Sequence, residues 1–324
     1  MEQEKPSLLT NILMSLITLI LLVVLFLALY FAYLNLPGPL ENLNIDIDKP
    51  EGQEVFSQAK QFYPHMKFNH QRITYHINQD CSTQQKQRVI EGFKEIQNNI
   101  PFLIFETTLE TPDIEVSCTE EEKTNTESDG KKYFVAGEGG AKEIIQTGNY
   151  YIITQGVIYL FKENKKAIQC DYPNVEVHET LHVFGFDHTN NPQSIMYPLL
   201  TDCTQTLDQS IIEELKRLYS EENLPELTFE NFTATKSGRY LNFNLTIRNT
   251  GSINSEPFLL TILDNQEVVD TREIESINFG AGISLQTTNL KLIRKNPEQI
   301  QFVIDKENKI KELDKTNNIA IINP

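Results

Sequence analysis

The sequence predicts an α+β chain in three parts: an N-terminal transmembrane helix, a mixed domain of sheet and helices, and an all-β sandwich. Three observations carry this reading. No charged side chain occurs between Leu8 and Leu36, strand-like and helix-like apolar spacings alternate from Arg72 to Ser220, and seven short strand-like runs follow Pro225.

At 324 residues the chain can hold two domains of ordinary size, and 40% apolar with 23% charged residues is the balance of a folding chain. The net charge is -17 and the lysines are scattered rather than gathered in runs, which argues against DNA or RNA as a partner. An acidic surface of this kind keeps a protein soluble and names no substrate.

The uncharged run at residues 8–36 exceeds the roughly 20 residues a helix needs to cross the hydrocarbon core. It ends in Leu36-Pro37-Gly38-Pro39 and lacks a small-residue exit site, so the expectation is an uncleaved anchor that meets the lipid bilayer through residues 8–36. Lys5 precedes the run and no basic residue follows until Lys49, which puts residues 1–7 in the cytoplasm and everything after Pro37 outside. The expected protein is single-pass in the cell membrane, with extracellular C-terminal domains. Cysteine usage leans the same way, because Cys81, Cys118, Cys170 and Cys203 form an even set without a CxxC pair, as disulfides in an oxidising compartment do. Three connectivities are open; the expected one joins Cys170 to Cys203 across the loops flanking the histidine motif and leaves Cys81 for Cys118. Asn231-Phe-Thr and Asn244-Leu-Thr are glycosylation sequons, which also belong outside.

Residues 37–66 are expected to be a stalk, because PGPLENLNIDIDKPEGQE shows neither helical nor strand periodicity. Its carboxylates Asp46, Asp48, Glu51 and Glu54 read as a solvated face, not as a plug over a cationic site.

Residues 67–224 form the expected mixed domain. RITYHI reads as a strand, and STQQKQRVIEGFKEIQNNI carries Val89, Ile90, Phe93 and Ile96 at helical spacing. FLIFETT and DIEVSCT are further strand candidates, and EEKTNTESDGKK reads as a turn or loop by composition, with the glycines of GEGG after it. Two apolar runs follow, NYYIIT and VIYLF, split at Gln155-Gly156. His65, His70 and His76 stand without chemical company and read as ordinary residues.

The segment that carries chemistry is VEVHETLHVFGFDH. Residues four apart lie on one helix face a turn apart, so His178 and His182 can direct imidazoles at one cation while Glu179 projects beside them. Zinc in a hydrolase takes three protein ligands and keeps one position open. His188 is the third ligand, brought back after the helix breaks at Gly185, where glycine permits the positive φ of the turn. A metal so held acidifies a bound water and polarises a carbonyl, and Glu179 is the general base that takes the proton. His, Glu, His, Gly and His at these spacings coincide by chance on the order of once in 100,000 chains of this length. The expected cofactor is one catalytic Zn2+ on His178, His182 and His188.

HETLHVFGFDH resembles the extended zinc signature of the metzincin peptidases, and SIMYP at residues 194–198 resembles their methionine turn. The spacing from His188 to Met196 and the Met-Tyr-Pro order are most similar to the matrixin branch. The resemblance covers residues 72–220 and implies a five-stranded twisted sheet with helices, a horizontal cleft, and a zinc endopeptidase acting on protein or peptide substrates. It makes Met196 a hydrophobic floor under the imidazoles, with Gly185, Tyr197 and Pro198 as structural residues of the site. Tyr197 directly follows the methionine, so it is not at the position, two after it, that supplies a fourth ligand in the astacin branch. An edge strand binding extended substrate would fall at residues 150–154, and the wall after the methionine turn would shape the pocket beyond the scissile bond. The sequence departs from animal matrixins in having no cysteine-switch propeptide and no histidine and aspartate set for structural zinc and calcium. Disulfides are expected to take over that stabilising role, at about 3 to 4 kcal/mol for a loop of roughly thirty residues. In the closing helix, LDQSIIEELKRLYS, Asp208 is the expected N-cap.

In residues 225–324 the runs LTFENFTAT, RYLNFNLTIRN, PFLLTIL, EVVDTREI, ISLQTTNLKL, QIQFVID and NNIAII argue a β-sandwich. Leu241, Phe243, Leu245 and Ile247 are expected to face inward, with Asn242, Asn244 and Thr246 in water. The ending VIDKENKIKELDKTNNIAI resembles CARDB, an immunoglobulin-like cell-surface adhesion module, here with an unknown ligand. Asp305, Glu312 and Asp314 read as a charged hairpin turn and not as a cation site.

The functional expectation is a membrane-anchored extracellular endopeptidase. The alternative is a cell-surface adhesion or binding protein with an accessory or inactive metallopeptidase-like domain. The intact Glu179 favours the enzyme, since a domain kept for binding needs no base beside a metal.

Overall fold

Helix α1 (Leu8–Asn35) opens the chain in the computed structural model, which describes residues 8–47, 59–126, 132–162, 168 and 170–324. Its side chains are exposed from Asn11 to Tyr33, and it is long and apolar enough to cross a membrane. Two short strands follow, β1 (Leu40–Leu43) and β2 (Ile45–Ile47). Both pair with the C-terminal sandwich, so this stretch is not the irregular stalk expected of it. Leu43, Ile45 and Ile47 do alternate, but over a run too short to stand out among Asn, Asp and Pro. Asp46 lies in β2, whereas Asp48, Glu51 and Glu54 fall outside the described residues.

The mixed domain is built from β3 (Met66–Lys67), β4 (Arg72–Ile77), α2 (Thr83–Asn99), β5 (Ile104–Thr107), β6 (Ile114–Cys118), β7 (Lys123–Thr126), β8 (Lys132–Val135), β9 (Gly137–Thr147), β10 (Tyr150–Leu160), α3 (Asn174–Val183) and α4 (Gln209–Ser220). Ser82 starts α2 with a capping box, its hydroxyl accepting from Gln85 N–H while the Gln85 amide oxygen accepts from Ser82 N–H. The sheet runs β9-β10-β6-β4-β5, with β3 alongside the start of β10; β9 is antiparallel and the other pairings are parallel. The core joins Phe68, Phe93 and Ile96 to Leu181, Phe184, Leu215 and Leu218, all 2% exposed or less.

Three readings of this region are corrected. EEKTNTESDGKK is a turn or loop by composition, yet it contains β7 and the first residue of β8, which pair antiparallel. NYYIIT and VIYLF are not two runs but one strand, β10, with a bulge at Gln155 that absorbs the break in alternation. GEGG lies in β9, and β9, not residues 150–154, is the edge strand on that side among the described residues. Within residues 150–154, Tyr151 and Ile152 of β10 are paired on both sides, to β9 and β3.

The sandwich comprises β11 (Leu227–Ser237), β12 (Tyr240–Asn249), β13 (Phe258–Asp264), β14 (Glu267–Ile274), β15 (Gly282–Lys291), β16 (Ile300–Ile304) and β17 (Ile319–Ile322). Its sheets run β1-β11-β12-β15 and β14-β13-β16-β17-β2, so the segment after α1 supplies one edge strand to each. Leu241, Phe243, Leu245 and Ile247 are buried against Phe302, Leu260 and Ile262. The charged turn is neutralised internally: Lys315 Nζ lies 2.8 Å from Asp305 and 3.2 Å from Glu312. Burial lifts the Asp305 carboxyl, but the hydrogen bonds from Lys315 and from the Ile310 and Lys309 N–H groups outweigh it and hold the group below its usual range.

Candidate metal centre

Helix α3 carries the first two histidines and is fixed from outside by α2. Arg88 donates to buried Glu176 at 3.1 Å and to the carbonyl of Cys170 at 3.0 Å. The disulfides pair Cys170 with Cys203 and Cys81 with Cys118. The first ties the entry to α3 to the loop leading into α4.

The helix stops as the sequence requires. Gly185, at φ 86°, donates its N–H to the His182 carbonyl at 3.0 Å, and Phe186 donates to Leu181 at 3.0 Å. These two bonds are the Schellman closure. A side chain at Gly185 would also collide with Met66, whose sulfur lies 2.4 Å from where a Cβ would stand. The chain then turns through Asp187, which pairs with Lys60, and delivers His188. Residues 60–62 brace this turn, Phe62 donating its N–H to the Gly185 carbonyl at 2.8 Å and stacking on the His182 ring at 5.9 Å.

The three histidines converge. Their Nε2 atoms lie 3.0 Å (His178 to His182), 3.1 Å (His182 to His188) and 3.2 Å (His178 to His188) apart. His178 directs Nδ1 at the Ile195 carbonyl at 2.6 Å and His182 directs Nδ1 at the Phe186 carbonyl at 2.7 Å. A carbonyl can only accept, so each Nδ1 carries the proton and each Nε2 presents a lone pair to the centre. Burial holds all three imidazoles below their ordinary pKa, His178 down to about 3, which keeps them in the neutral form a metal needs. A tetrahedral ion with bonds of about 2.0 to 2.1 Å to nitrogen calls for separations near 3.3 Å, so the trio fits zinc closely. Among the described residues it is the one such group of metal-binding side chains.

Glu179 is 6% exposed, and burial raises its pKa to about 8. The Gly139 N–H donates to it and opposes that rise. Gly139 must be glycine, because a Cβ there would stand 2.1 Å from the Glu179 carbonyl oxygen. The glycine at residue 139 is thus what lets β9 lie on the helix.

Met196 is 1% exposed and lines, with His188, a cavity of about 380 Å³ that also touches Asp187, Asp208 and Ile211. Its turn is closed by Tyr197 N–H to the Ser194 carbonyl at 3.1 Å, and its carbonyl accepts from Thr189 N–H at 3.0 Å. Tyr197 is half-buried and Pro198 exposed. Asp208 occupies the N-cap position of α4 but makes no cap hydrogen bond. Its carboxylate accepts instead from the Ser194 hydroxyl and Ile195 N–H. Gln205, absent from the sequence reading, is 2% exposed and donates to the Leu199 carbonyl at 3.1 Å while accepting from Thr201 N–H at 2.9 Å. No local signal marks it, since its partners come only with the fold. His70 bonds Asp113 at 3.1 Å and His76 lies 3.3 Å from the Thr108 carbonyl, both apart from the trio.

The Matrixin family model matches residues 67–220 and the CARDB model residues 224–321. The CARDB domain of the PF1109 protein from Pyrococcus furiosus, solved in complex with di-metal ions, is 17% identical over 31% of this chain and 86% of that one, with a TM-score of 0.26. A putative cell surface protein domain from Methanosarcina acetivorans is 20% identical over 31% of this chain and 91% of that one, with a TM-score of 0.24. No curated protein matches the chain. The first match marks a metallopeptidase-type hydrolase, a family that implies zinc, and the second a cell-surface domain. The chain therefore joins a matrixin-type domain to a C-terminal CARDB domain.

Proposed function

We propose that this chain is a membrane-anchored zinc endopeptidase acting outside the cell on protein substrates. The observation that carries the reading is the convergence of three Nε2 atoms, with proton-bearing Nδ1 atoms on His178 and His182, on a helix that also carries the buried carboxylate of Glu179. His178, His182 and His188 would hold the ion, and α1 would stay in the membrane with residues 1–7 in the cytoplasm. The peptidase domain would run to residue 224 and the sandwich from 225.

A bound zinc supplies a polarised carbonyl and an acidified water. The chain's own part is as follows. Glu179 takes a proton from the nucleophile and delivers it to the leaving nitrogen, and a pKa raised by burial suits both halves of that task. The metal's positive charge would draw that pKa back toward neutrality. Among the described residues no strand pairs with the outer side of β9, and that edge would offer its remaining backbone groups to an extended peptide near Gly139 and Glu179. Met196 gives the imidazoles an apolar floor, and Ile195 and Phe186 hold two of them in one tautomer.

The test is cleavage of unfolded protein by the purified full chain, with and without chelator, and with Glu179→Gln. The expected outcome is zinc content unchanged in the variant and a rate reduced by about 10²- to 10⁴-fold. Cleavage indifferent to both chelator and substitution would falsify the reading.

A further inference from the structure

The sandwich is fastened at both ends of its strands, to different things. At the Asn249 end of β12 it grips the peptidase domain. The Thr147 hydroxyl donates to the Gly251 carbonyl at 2.8 Å, and Asn69 donates to the Ser252 carbonyl at 3.0 Å. At the Tyr240 end it meets α1. Between Asn35, which ends α1, and Leu40, which starts β1, lie only Leu36, Pro37, Gly38 and Pro39. Leu40 pairs with Ser237, and the Ser237 hydroxyl donates to the Gly38 carbonyl at 2.6 Å.

Lys295 reaches from this end onto the last turn of the helix. Its Nζ donates to the Tyr33 carbonyl at 2.9 Å and lies 3.7 Å from the centre of the Tyr33 ring. That carbonyl is among those a helix C-terminus leaves without a partner, at the negative end of the dipole. Tyrosines near the ends of spanning helices sit at headgroup level, so Tyr33 marks the depth at which Lys295 lies.

The surroundings of Lys295 are basic and apolar. Lys291 pairs with Tyr240 in the sheet, and Arg239 donates to the carbonyls of Leu292 and Ile293, which brings all of them to one end. The acids there are mostly matched: Glu41 lies 3.0 Å from Lys236, and Asp264 and Glu267 are both on Arg294. Among the described residues Arg239, Lys291 and Lys295 have no carboxylate partner, while Glu298 is left unmatched. Leu36, Leu40 and Ile293 are 60%, 68% and 40% exposed beside them. Exposed aliphatic side chains beside unmatched cations, on a chain of net charge -17, suit an anionic lipid surface, which covers the first and pairs with the second.

We propose that this end of the sandwich is seated on the bilayer, with Arg239, Lys291 and Lys295 taking phosphate groups of anionic lipids, and that the sandwich is a spacer between membrane and metal centre. The proposal rests on α1 being an inserted anchor. The ten residues of β12 run from the seated end to the peptidase domain, about 30 Å at strand rise. The substrates this arrangement serves are polypeptide segments held off the membrane surface, not segments lying on it.

The test is hydrogen exchange on the full chain in nanodiscs of phosphatidylcholine, with or without phosphatidylglycerol, after carbonate extraction has shown whether α1 is inserted. A single Lys or Arg beside an anionic surface contributes about fivefold, so amides at residues 236–241 and 290–296 exchange at least several-fold more slowly in the anionic discs. Amides at 249–252 are unaffected. High salt and the pair Lys291→Glu with Lys295→Glu abolish the slowing, while Lys291→Arg with Lys295→Arg keeps it, which separates charge from damage to the fold. Equal exchange in both discs with α1 inserted overturns the seat. Slowing by millimolar inorganic phosphate in phosphatidylcholine discs marks a soluble-anion site and overturns the lipid assignment. Extraction of the chain by carbonate removes the anchor and the proposal with it.

Discussion

The carboxylate of Asp208 accepts the hydroxyl hydrogen of Ser194 at 2.6 Å. The same oxygen accepts from Ile195 N–H at 3.1 Å, and the Ile195 carbonyl in turn fixes Nδ1 of His178. One residue at the head of α4 thus orients an imidazole through the turn between them. Asp208→Ala is expected to weaken zinc affinity about 10- to 100-fold, the usual cost of losing such outer support. Competition with a chromogenic chelator measures it, and affinity equal to the parent chain would show that the turn holds without Asp208.

Gly185→Ala tests the helix stop. An alanine there must hold φ near 86° and displace Met66, so the chain loses about 1 to 2 kcal/mol from the backbone alone. Denaturant midpoints taken with chelator present isolate this from the metal's own contribution.

The bridge between Cys170 and Cys203 closes a loop with a sequence separation of 33. Replacing both cysteines by serine is expected to lower stability by about 3 to 4 kcal/mol. A loss under about 1 kcal/mol, read by calorimetry on the double serine variant and the parent chain with the bridge between Cys81 and Cys118 oxidised in both, would mean that Arg88 alone holds the entry to α3.

Acid sensitivity should trace in part to Asp113. Burial raises its pKa, but hydrogen bonds from His70 and from the Thr74 N–H and hydroxyl outweigh burial and leave it below the ordinary value. A depressed folded pKa stabilises fully above the unfolded value and is lost as pH falls through the folded one. The stability gap between the parent chain and Asp113→Asn should therefore be constant near neutrality and shrink below about pH 4. A gap that widens in acid would reverse the sign.

What could be read from the sequence was whatever depends on neighbours in the chain. His178, His182 and Gly185 meet through one helix and its end, and the alternation of Leu241 to Ile247 needs only a strand. β9 was hidden because its glycines answer to a helix some forty residues later, at Gly139 on Glu179. β1 and β2 were hidden because three or four residues have no preference until an edge is offered to them. The same holds for Asp208 and Gln205, whose side chains took roles that only the assembled loops define.

Leu40 to Leu43 and Ile45 to Ile47 are made early, while the edges they complete, β11 and β17, are made late. During synthesis the mixed domain therefore emerges inside an open loop whose near end is already made. The loop closes only when the last strand arrives, so the C-terminal module reaches its finished form after the peptidase has had time to form its own core. A ribosome stalled before residue 319 would leave β2 without its partner and two hydrophobic faces half covered, a species for quality-control proteases to find.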